Sequence, residues 1–204
     1  MNKFIGNEKI IIVTGHYGAG KTNLCINLAT LLPFSTVIAD LDIVNPFFRT
    51  ADFAELLVKE GVRLSVSDYA NSSLDIPSLN LCIKGELSKS DRLIIDVGGD
   101  GEGAKALGRF AEEIEEIGYE MLYVVNKYRL LTASPEEAVT VMREIEKSSG
   151  LSCTAIVNNS NLGNETTAET VADSADYAKK ISELTGLPLT EIPVKVYVKQ
   201  KWET

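Results

Sequence analysis

Apolar segments rich in β-branched residues alternate along this chain with segments whose apolar residues recur at helical spacing. Five of the apolar segments are predicted strands: Lys9–Thr14, Thr36–Asp40, Arg92–Val97, Met121–Asn126 and Cys153–Asn158. Most are apolar on both faces, as strands are in a parallel sheet that helices cover on both sides. Strand and helix patterns that alternate in this way predict an α/β fold, a doubly wound and mostly parallel sheet with helices on both faces.

Helices are predicted between the strands, each bounded by capping residues or by a proline or glycine. The predicted helices are Lys21–Leu32 before Pro33, Glu102–Ile117 before Gly118, one that starts at Ser134 and ends at Gly150, and one that starts at Thr166 and ends at Gly186. Ser134 and Glu137 have the spacing of a capping box, with a proline at the first helical position. Thr166 and Glu169 repeat that spacing. Residues 68–80 are predicted as one long irregular segment.

The length and composition are those of a folded globular protein. The chain has 204 residues, of which 45% are hydrophobic, and we expect one domain that covers residues 1–204. It has 20 basic and 29 acidic residues, a formal net charge of −9. Because nucleic acids and anionic membranes bind proteins through dense lysine and arginine, this charge argues against both as general partners.

The cysteines and the short apolar runs indicate the cellular compartment of the protein. Cys25, Cys82 and Cys153 are odd in number and form no CxxC pair, so we expect small buried side chains and not disulfides or a zinc site. The apolar runs are far shorter than the ~20 residues that cross a bilayer. The first residues contain no apolar core of a signal peptide. These features predict a cytoplasmic protein.

The sharpest motif is GHYGAGKT at residues 15–22, which has the form G-x-x-x-x-G-K-[ST]. It lies where its chemistry requires, between a predicted strand and a predicted helix. Glycines let such a loop wrap a phosphate with backbone N–H groups turned inward, and the helix N-terminus adds its positive dipole end. Lys21 is expected to act as a catalytic residue at the β- and γ-phosphates, and Thr22 to bind Mg²⁺ through its hydroxyl. The predicted nucleotide-contacting residues here are Gly15, His16, Tyr17, Gly18, Ala19, Gly20, Lys21, Thr22 and Asn23.

Two further segments place carboxylates at the ends of predicted strands. Asp40 and Asp42 lie at the end of the second strand, and Asp96 lies near the end of the third, with Gly99 three residues later. The carboxyl ends of parallel strands face the ligand crevice in this kind of fold. We therefore predict that these carboxylates hold a metal ion and orient an attacking water. The backbone N–H of Gly99 is predicted to contact the γ-phosphate and so to sense hydrolysis.

These three elements together resemble the MinD/ParA/CobQ-type P-loop ATPases of the SIMIBI class, a group that includes the nitrogenase iron protein. The nearest resemblance is to a branch with a GHYGxGKT loop and a DLDIVNPFFR segment, whose members are described as ATP-binding proteins. The resemblance implies ATP and Mg²⁺ as cofactors, with Asp42 as the catalytic residue that positions the hydrolytic water. It implies Asp96 as the Walker B residue and Asp40 as support for the metal's ligands, so that Thr22, Asp40 and Asp96 form the predicted metal site.

The identity of the base rests on two asparagine segments. The resemblance implies that an asparagine after a late strand reads the base, and Asn158 or Asn159 occupies that place; the alternative is an Asx-type turn at the strand end. The segment NKYR, which begins at Asn126, starts like the guanine-reading NKxD loop, but Arg129 replaces the aspartate. Arginine accepts no hydrogen bond from guanine, so the sequence favours ATP over GTP.

One departure from the family concerns a second subunit. Many members carry a lysine directly after the first glycine of the loop, and this lysine reaches the nucleotide of a partner subunit; here that position is His16. A neutral imidazole supplies less positive charge than an ammonium group. Either His16 performs this role weakly, another cation such as Arg49 or Lys105 performs it, or the contact is absent. A homodimer is therefore left open.

The leading functional hypothesis is a slow, Mg²⁺-dependent ATPase that acts as a nucleotide-driven switch towards a protein partner. A first alternative is ATP-dependent phosphorylation or ligation of a small molecule, of the dethiobiotin synthetase-like type. It predicts an acceptor pocket lined by residues 68–80 and Arg49. A second alternative is a nucleotide-binding protein of the metallochaperone type, which needs cysteines at a subunit interface. We expect neither nucleic acid nor a membrane among the partners.

Overall fold

The sheet is built from the apolar segments that the sequence marks as strands. The computed structural model describes residues 8–31, 34–41, 53–65, 82–99, 101–190 and 192. The described strands are all parallel and form one sheet: β1 (Ile10–Thr14), β2 (Thr36–Leu41), β3 (Arg63–Ser65), β4 (Arg92–Val97), β5 (Tyr119–Val125), β6 (Ala155–Asn158) and β7 (Leu189–Thr190). The predicted doubly wound, parallel α/β fold is confirmed.

The helices of the described residues connect these strands. They are α1 (Lys21–Leu31), α2 (Ala54–Lys59), α3 (Ile83–Leu87), α4 (Gly101–Gly108), α5 (Ala111–Ile117), α6 (Pro135–Ser149), α7 (Ala168–Asp173) and α8 (Ala175–Thr185). Short 3₁₀ turns at Leu130–Thr132 and Gly163–Glu165 follow β5 and β6. In this part of the chain, no helix is long and apolar enough to span a membrane.

Two apolar cores lie on opposite faces of the sheet. One face packs against α1 and α2, with Leu24 and Leu57 among its buried residues. The other packs against α3 to α6 and α8, where Met142 and Ile181 are buried. Every residue of the central strands β1 and β4 is buried. Burial from both sides is the physical reason why most residues of these strands are apolar and do not alternate with polar residues.

The order of the strands creates a crevice at the carboxyl edge of the sheet. The order is β3-β2-β4-β1-β5-β6-β7. The connection from β1 runs through α1 to β2, which lies on the far side of β4. The connection from β4 runs to β5, which lies on the far side of β1. Because these two connections leave in opposite directions, a crevice opens at the carboxyl ends of β1 and β4. The glycine-rich loop follows β1 directly and therefore lies in this crevice.

The predicted strands are all present, with ends that differ by no more than two residues. The edge strands β3 and β7 were not predicted, because three and two residues are too few to show a hydrophobic pattern. The irregular segment predicted at residues 68–80 lies outside the described residues. All three cysteines are free, and Cys25 and Cys153 are buried as expected, but Cys82 is exposed at the start of α3.

Two helix predictions are wrong in detail. The helix predicted at Glu102–Ile117 is two helices, α4 and α5, with a break after Gly108. Gly108 lies so close to α6 that a Cβ there would be 3.1 Å from the carbonyl oxygen of Ser148. The second of these helices, α5, ends at Gly118 as predicted. Glycine is thus used at the break for close packing, where it also weakens the helix.

The second wrong detail is the cap before α7. Thr167, and not Thr166, forms the capping box, with Thr170 as its partner. The hydroxyl of Thr166 instead donates to the carbonyl of Gly163 at 2.7 Å and accepts from the N–H of Leu162 at 2.9 Å. The helix then breaks at the buried Ser174, which separates α7 from α8.

The cap of α6 gives a direct test of the local structure. Ser134 and Glu137 form the predicted capping box, with bonds of 3.2 and 3.1 Å, and α6 ends at Gly150 in the left-handed conformation. Ser134→Ala should lower the free energy of unfolding by about 1 kcal/mol, because an N–H at the helix start loses its acceptor. Thr140→Ala, on the exposed middle of α6, is the control and should be neutral or slightly stabilising. Urea denaturation measures both, and equal stability of the two variants would contradict the cap's contribution.

Candidate nucleotide-binding site

The glycine-rich loop fits tightly against the neighbouring strands. Gly15 has φ 147° and lies against β5, where a Cβ would collide with the carbonyl oxygen of Val124. Gly20 has φ 91°, and a Cβ there would collide with the side-chain amide of Asn159. Positive φ and close approach together leave room only for glycine at these two positions. The spacing of glycines in the sequence is therefore required by this backbone path.

The lysine and threonine that follow the loop are both buried at the start of α1. Lys21 is 5% exposed, and its ammonium group is 3.4 Å from the carbonyl oxygen of His16. Thr22 is 6% exposed and donates its hydroxyl hydrogen to Oδ2 of Asp96 at 2.7 Å. This contact joins residues 74 positions apart and ties the glycine-rich loop to the end of β4. The predicted neighbourhood of Thr22 and Asp96 is thus present.

Two carboxylates lie side by side near Thr22. Asp40 of β2 is paired in register with Asp96 of β4, and Asp96 is fully buried. Their charges are felt by Cys25, one turn along α1: burial raises the pKa of its thiol well above the usual value, and the carboxylates of Asp96 and Asp40 raise it further, whereas Lys21 lowers it. The electrostatic field at this point favours a cation, since the two carboxylates outweigh the lysine.

These residues fit a magnesium ion better than a structural metal. Within the described ranges, no group of three or more His, Cys, Asp and Glu side chains could hold a metal ion by itself. Mg²⁺ usually keeps several waters and is held by one or two carboxylates together with phosphate oxygens. Thr22 and Asp96 offer such a set of oxygen ligands, with Asp40 close by. Asp42, the predicted catalytic residue, lies outside the described residues.

The segment after β4 rests directly on the glycine-rich loop. A Cβ on Gly99 would lie 2.5 Å from the backbone nitrogen of Tyr17 and 2.8 Å from the carbonyl oxygen of Gly15. No side chain can therefore stand at this position without moving one of the two segments. A ligand that changes the position of Gly99 must also change its contact with the loop, as the predicted role in sensing a γ-phosphate requires.

Two side chains from outside the GHYGAGKT motif hold the loop in place. Nδ2 of Asn159 donates to the carbonyl oxygen of Ala19 at 2.7 Å, and Nε of Arg129 donates to that of Gly18 at 2.8 Å. Arg129 follows β5 and Asn159 follows β6, so both strands on that side of β1 contribute. From the sequence, Asn159 is a candidate contact to the base and Arg129 replaces the guanine-reading aspartate, but neither observation indicates a contact with the loop.

The remaining residues of these two segments are engaged within the chain. Oδ1 of Asn158 accepts from the N–H of Ser160 at 3.1 Å, an Asx-type turn, and its amide donates to the hydroxyl of Ser174 at 2.9 Å. Lys127 forms an ion pair with Asp173 at 2.6 Å. The turn that was the alternative for Asn158 is present, and a contact of Asn158 or Asn159 with a base stays a prediction.

The cations considered in place of the family's lysine differ in their surroundings. Nδ1 of His16 is 3.0 Å from the carbonyl oxygen of Tyr17, and the ring is partly exposed at the rim of the loop. Lys105 pairs with Glu102 on the surface of α4 at 2.6 Å. Arg49 lies outside the described residues. Tyr17, the residue after His16, is 56% exposed.

Comparisons with known proteins give matches in structure and none in sequence. The chain matches no protein-family model and no curated protein. The cell division protein FtsY from Thermotoga maritima has a TM-score of 0.56 and 18% identity over 89% of this chain and 60% of its own. FtsY from Elizabethkingia anophelis in complex with GDP has a TM-score of 0.56 and 17% identity, over 93% and 58%. The 54-kDa protein of the signal recognition particle from Aeropyrum pernix, in complex with GDP, has 0.56 and 16%, over 91% and 42%.

These similarities show the fold. The chain covers 60% or less of the length of each of these proteins. They share with it the doubly wound, parallel α/β fold of the P-loop NTPase type. Membership of the SIMIBI class, which the motifs predict, stays a prediction. The resemblance to the MinD/ParA/CobQ-type ATPases of that class also stays a prediction.

A pair of neighbouring glycines tests the contact between the segment after β4 and the loop. Gly99→Ala should lower the free energy of unfolding by roughly 1–3 kcal/mol, because its methyl group would overlap the backbone at Tyr17. Gly101→Ala is the matched control, since a Cβ there meets no atom within 4 Å. It should leave stability unchanged or raise it slightly, as alanine favours the start of α4. Urea denaturation of both variants that shows equal losses would contradict the tight contact.

Proposed function

We propose that this protein binds ATP with Mg²⁺ and hydrolyses it slowly, as a switch whose shape depends on the bound nucleotide. The observation that carries the proposal is the 2.7 Å hydrogen bond between Thr22 and Asp96, which joins the two halves of a nucleotide site. A glycine-rich turn can match the motif of a phosphate-binding loop by chance. A buried hydroxyl and carboxylate that meet behind it, at the crevice of the sheet, are the arrangement that a nucleotide with magnesium requires.

Each group of the site would have a distinct role in nucleotide binding or hydrolysis. The loop N–H groups and the N-terminus of α1 would bind the phosphates, and Lys21 would neutralise charge on them. Thr22 and Asp96 would hold Mg²⁺, which would supply neutralisation of charge on the phosphates. Asp42 would orient the attacking water, as the family resemblance implies. These groups would position and neutralise and would form no covalent bond. The proposed switch turns over slowly in the absence of a partner.

The contact of Gly99 with the loop supports the role as a switch. The segment touches the loop backbone at Tyr17 and Gly15, so it lies where the presence of a γ-phosphate would be felt. Buried contacts of this kind have few arrangements, and a small shift at one segment forces a shift at the other. The chain would therefore differ in shape between its ATP and ADP states near residues 98–101.

The cysteines do not support the metallochaperone alternative. Burial raises the pKa of Cys25 and of Cys153, so both are protonated thiols at neutral pH and poor metal ligands. Only Cys82, among the three, is exposed. The kinase or ligase alternative rests on an acceptor pocket at residues 68–80 and Arg49, which lie outside the described residues, and it stays a prediction.

Arg129 supports ATP as the nucleotide. Two of the structural matches hold GDP, so GTP is the competing candidate. In this chain the position of the guanine-reading aspartate holds Arg129, whose Nε donates to Gly18 at the rim of the loop. A guanidinium has no acceptor for the donors on the guanine edge, and unpaired donors cost about 1–3 kcal/mol.

Hydrolysis by the purified protein tests the proposed activity. We expect slow release of phosphate from ATP that stops when Mg²⁺ is removed. Asp42→Ala should still bind ATP but lose turnover, whereas Lys21→Ala should lose about 10²–10³-fold in rate because charge on the phosphates is no longer neutralised. Lys180→Ala, which removes an exposed lysine of α8, is the control and should keep its rate. Normal turnover by Asp42→Ala would refute the role assigned to Asp42.

Nucleotide preference is tested by competition between ATP and GTP, each with Mg²⁺. We expect ATP to bind about tenfold more tightly, the cost of leaving guanine donors unpaired. Displacement of a fluorescent ADP analogue by each nucleotide measures the ratio. Tighter binding of GTP would overturn the assignment of the base, although it would leave the phosphate site intact.

A further inference from the structure

A groove runs along one side of α6 and ends at the candidate nucleotide site. It encloses a volume of about 960 Å³ in the described part of the chain. At one end it is bounded by His16 of the loop and by Gly99 and Gly101 after β4. From there it follows α6 as far as Ser148. Apart from His16 and Gly99, its lining residues have no role in the nucleotide site described above.

The groove is partly apolar and contains exposed leucine. Leu131, in the 3₁₀ turn before α6, is 61% exposed and lines the groove, and its neighbour Leu130 is 87% exposed. Val141 lines it halfway along α6 and is only partly buried. Large apolar side chains at this exposure are uncommon when they lie together, and they mark sites where another molecule binds.

The charges of the groove are mostly negative. Glu136, Glu137 and Glu144 line it, against one basic side chain, Lys147. Glu137 stays ionised, because the hydrogen bond from the Ser134 N–H lowers the pKa of its carboxyl. On α6, Glu136 and Glu144 are about two turns apart, and Val141 lies between them along the helix axis. A partner that fits this surface must carry cations beside an apolar stripe.

We propose that this groove is the docking surface for a basic, partly apolar segment of another protein, and that the bound nucleotide controls its affinity. The nucleotide control rests on the function proposed above; the docking itself does not. A segment seated in the groove would touch Gly99 at one end, and Gly99 rests on the loop. A shift of residues 98–101 between nucleotide states would therefore change the fit of the partner.

Length and charge argue for this occupant over two others. From Glu136 to Lys147 the helix is about 16 Å long, which suits a peptide segment and exceeds a small amine. A second copy of this chain would bring a net charge of −9 towards three glutamates, and like charges at an interface are unfavourable. A different chain with lysine or arginine around an apolar stripe gives complementary charge.

The test uses a defined probe, an amphipathic helical peptide of about twelve residues with a lysine face and a leucine face. The same peptide with glutamate in place of lysine is its counterpart. Binding to the full chain is measured by calorimetry in about 0.15 M salt, where long-range attraction is screened. Amide shifts of the ¹⁵N-labelled protein locate the peptide. We expect the lysine peptide alone to bind, with shifts confined to the groove.

Matched variants separate the groove from the general acidity of the chain. Glu136→Gln with Glu144→Gln should weaken the lysine peptide by about tenfold. Glu112→Gln with Glu115→Gln on α5 removes the same charge from another exposed surface and should change affinity less than about twofold. Leu131→Ser should weaken binding, and Leu184→Ser, at an exposed leucine of α8, should not. Equal losses in both glutamate pairs, or shifts away from the groove, would overturn the proposal.

Two further measurements complete the test. With the ATP analogue and Mg²⁺, the affinity for the peptide should differ from that with ADP by at least about threefold; equal affinities would overturn nucleotide control. If the protein binds no nucleotide, the proposed function fails, and peptide binding without nucleotide still decides the docking surface. Sedimentation of the wild type and of Leu131→Ser identifies a second copy as the occupant if a dimer is lost, and that result would also overturn the proposal.

Discussion

The hydrogen bond between Thr22 and Asp96 is the contact on which the rest of the site depends. Both side chains are buried, and they join the start of α1 to the end of β4, two elements that the sheet brings together only because β1 and β4 are neighbours. A buried carboxylate is costly unless hydrogen bonds or a cation compensate it. The pair therefore fixes the loop in place. Under the proposed function it is also where Mg²⁺ would compensate the charge of Asp96.

Contacts from segments on both sides of β1 hold the glycine-rich loop in place. Asn159 and Arg129 bind its outer carbonyls from the strands on one side of β1, and Gly99 packs against its backbone from the strand on the other. A loop held in this way is preorganised, so little ordering remains to be done when a phosphate binds. Gly99 also lines the groove along α6, and under the proposal a partner there responds to the nucleotide through this residue.

Much of the fold and the centre of the site were predictable from the sequence, for specific reasons. The central strands are apolar on both faces, and Ser134, Gly150 and Gly186 bound their helices through local chemistry, so both were found. The loop motif fixed the place of Lys21 and Thr22. The break at Gly108 and the bracing by Arg129 were missed, because each depends on a distant segment: α6 for Gly108, and Gly18 for Arg129. No local pattern carries that information. The cap was placed one residue early, at Thr166 and not Thr167, because adjacent threonines look alike in sequence and the hydroxyl of Thr166 is used in a turn with Gly163.

The most direct test of the central claim is a crystal structure of the protein with a non-hydrolysable ATP analogue and Mg²⁺. We predict that the phosphates lie within the loop at residues 15–22, with the metal ion at the hydroxyl of Thr22 and the carboxylate of Asp96. A nucleotide bound elsewhere on the chain, or an empty loop in crystals grown with the analogue in excess, would contradict the account.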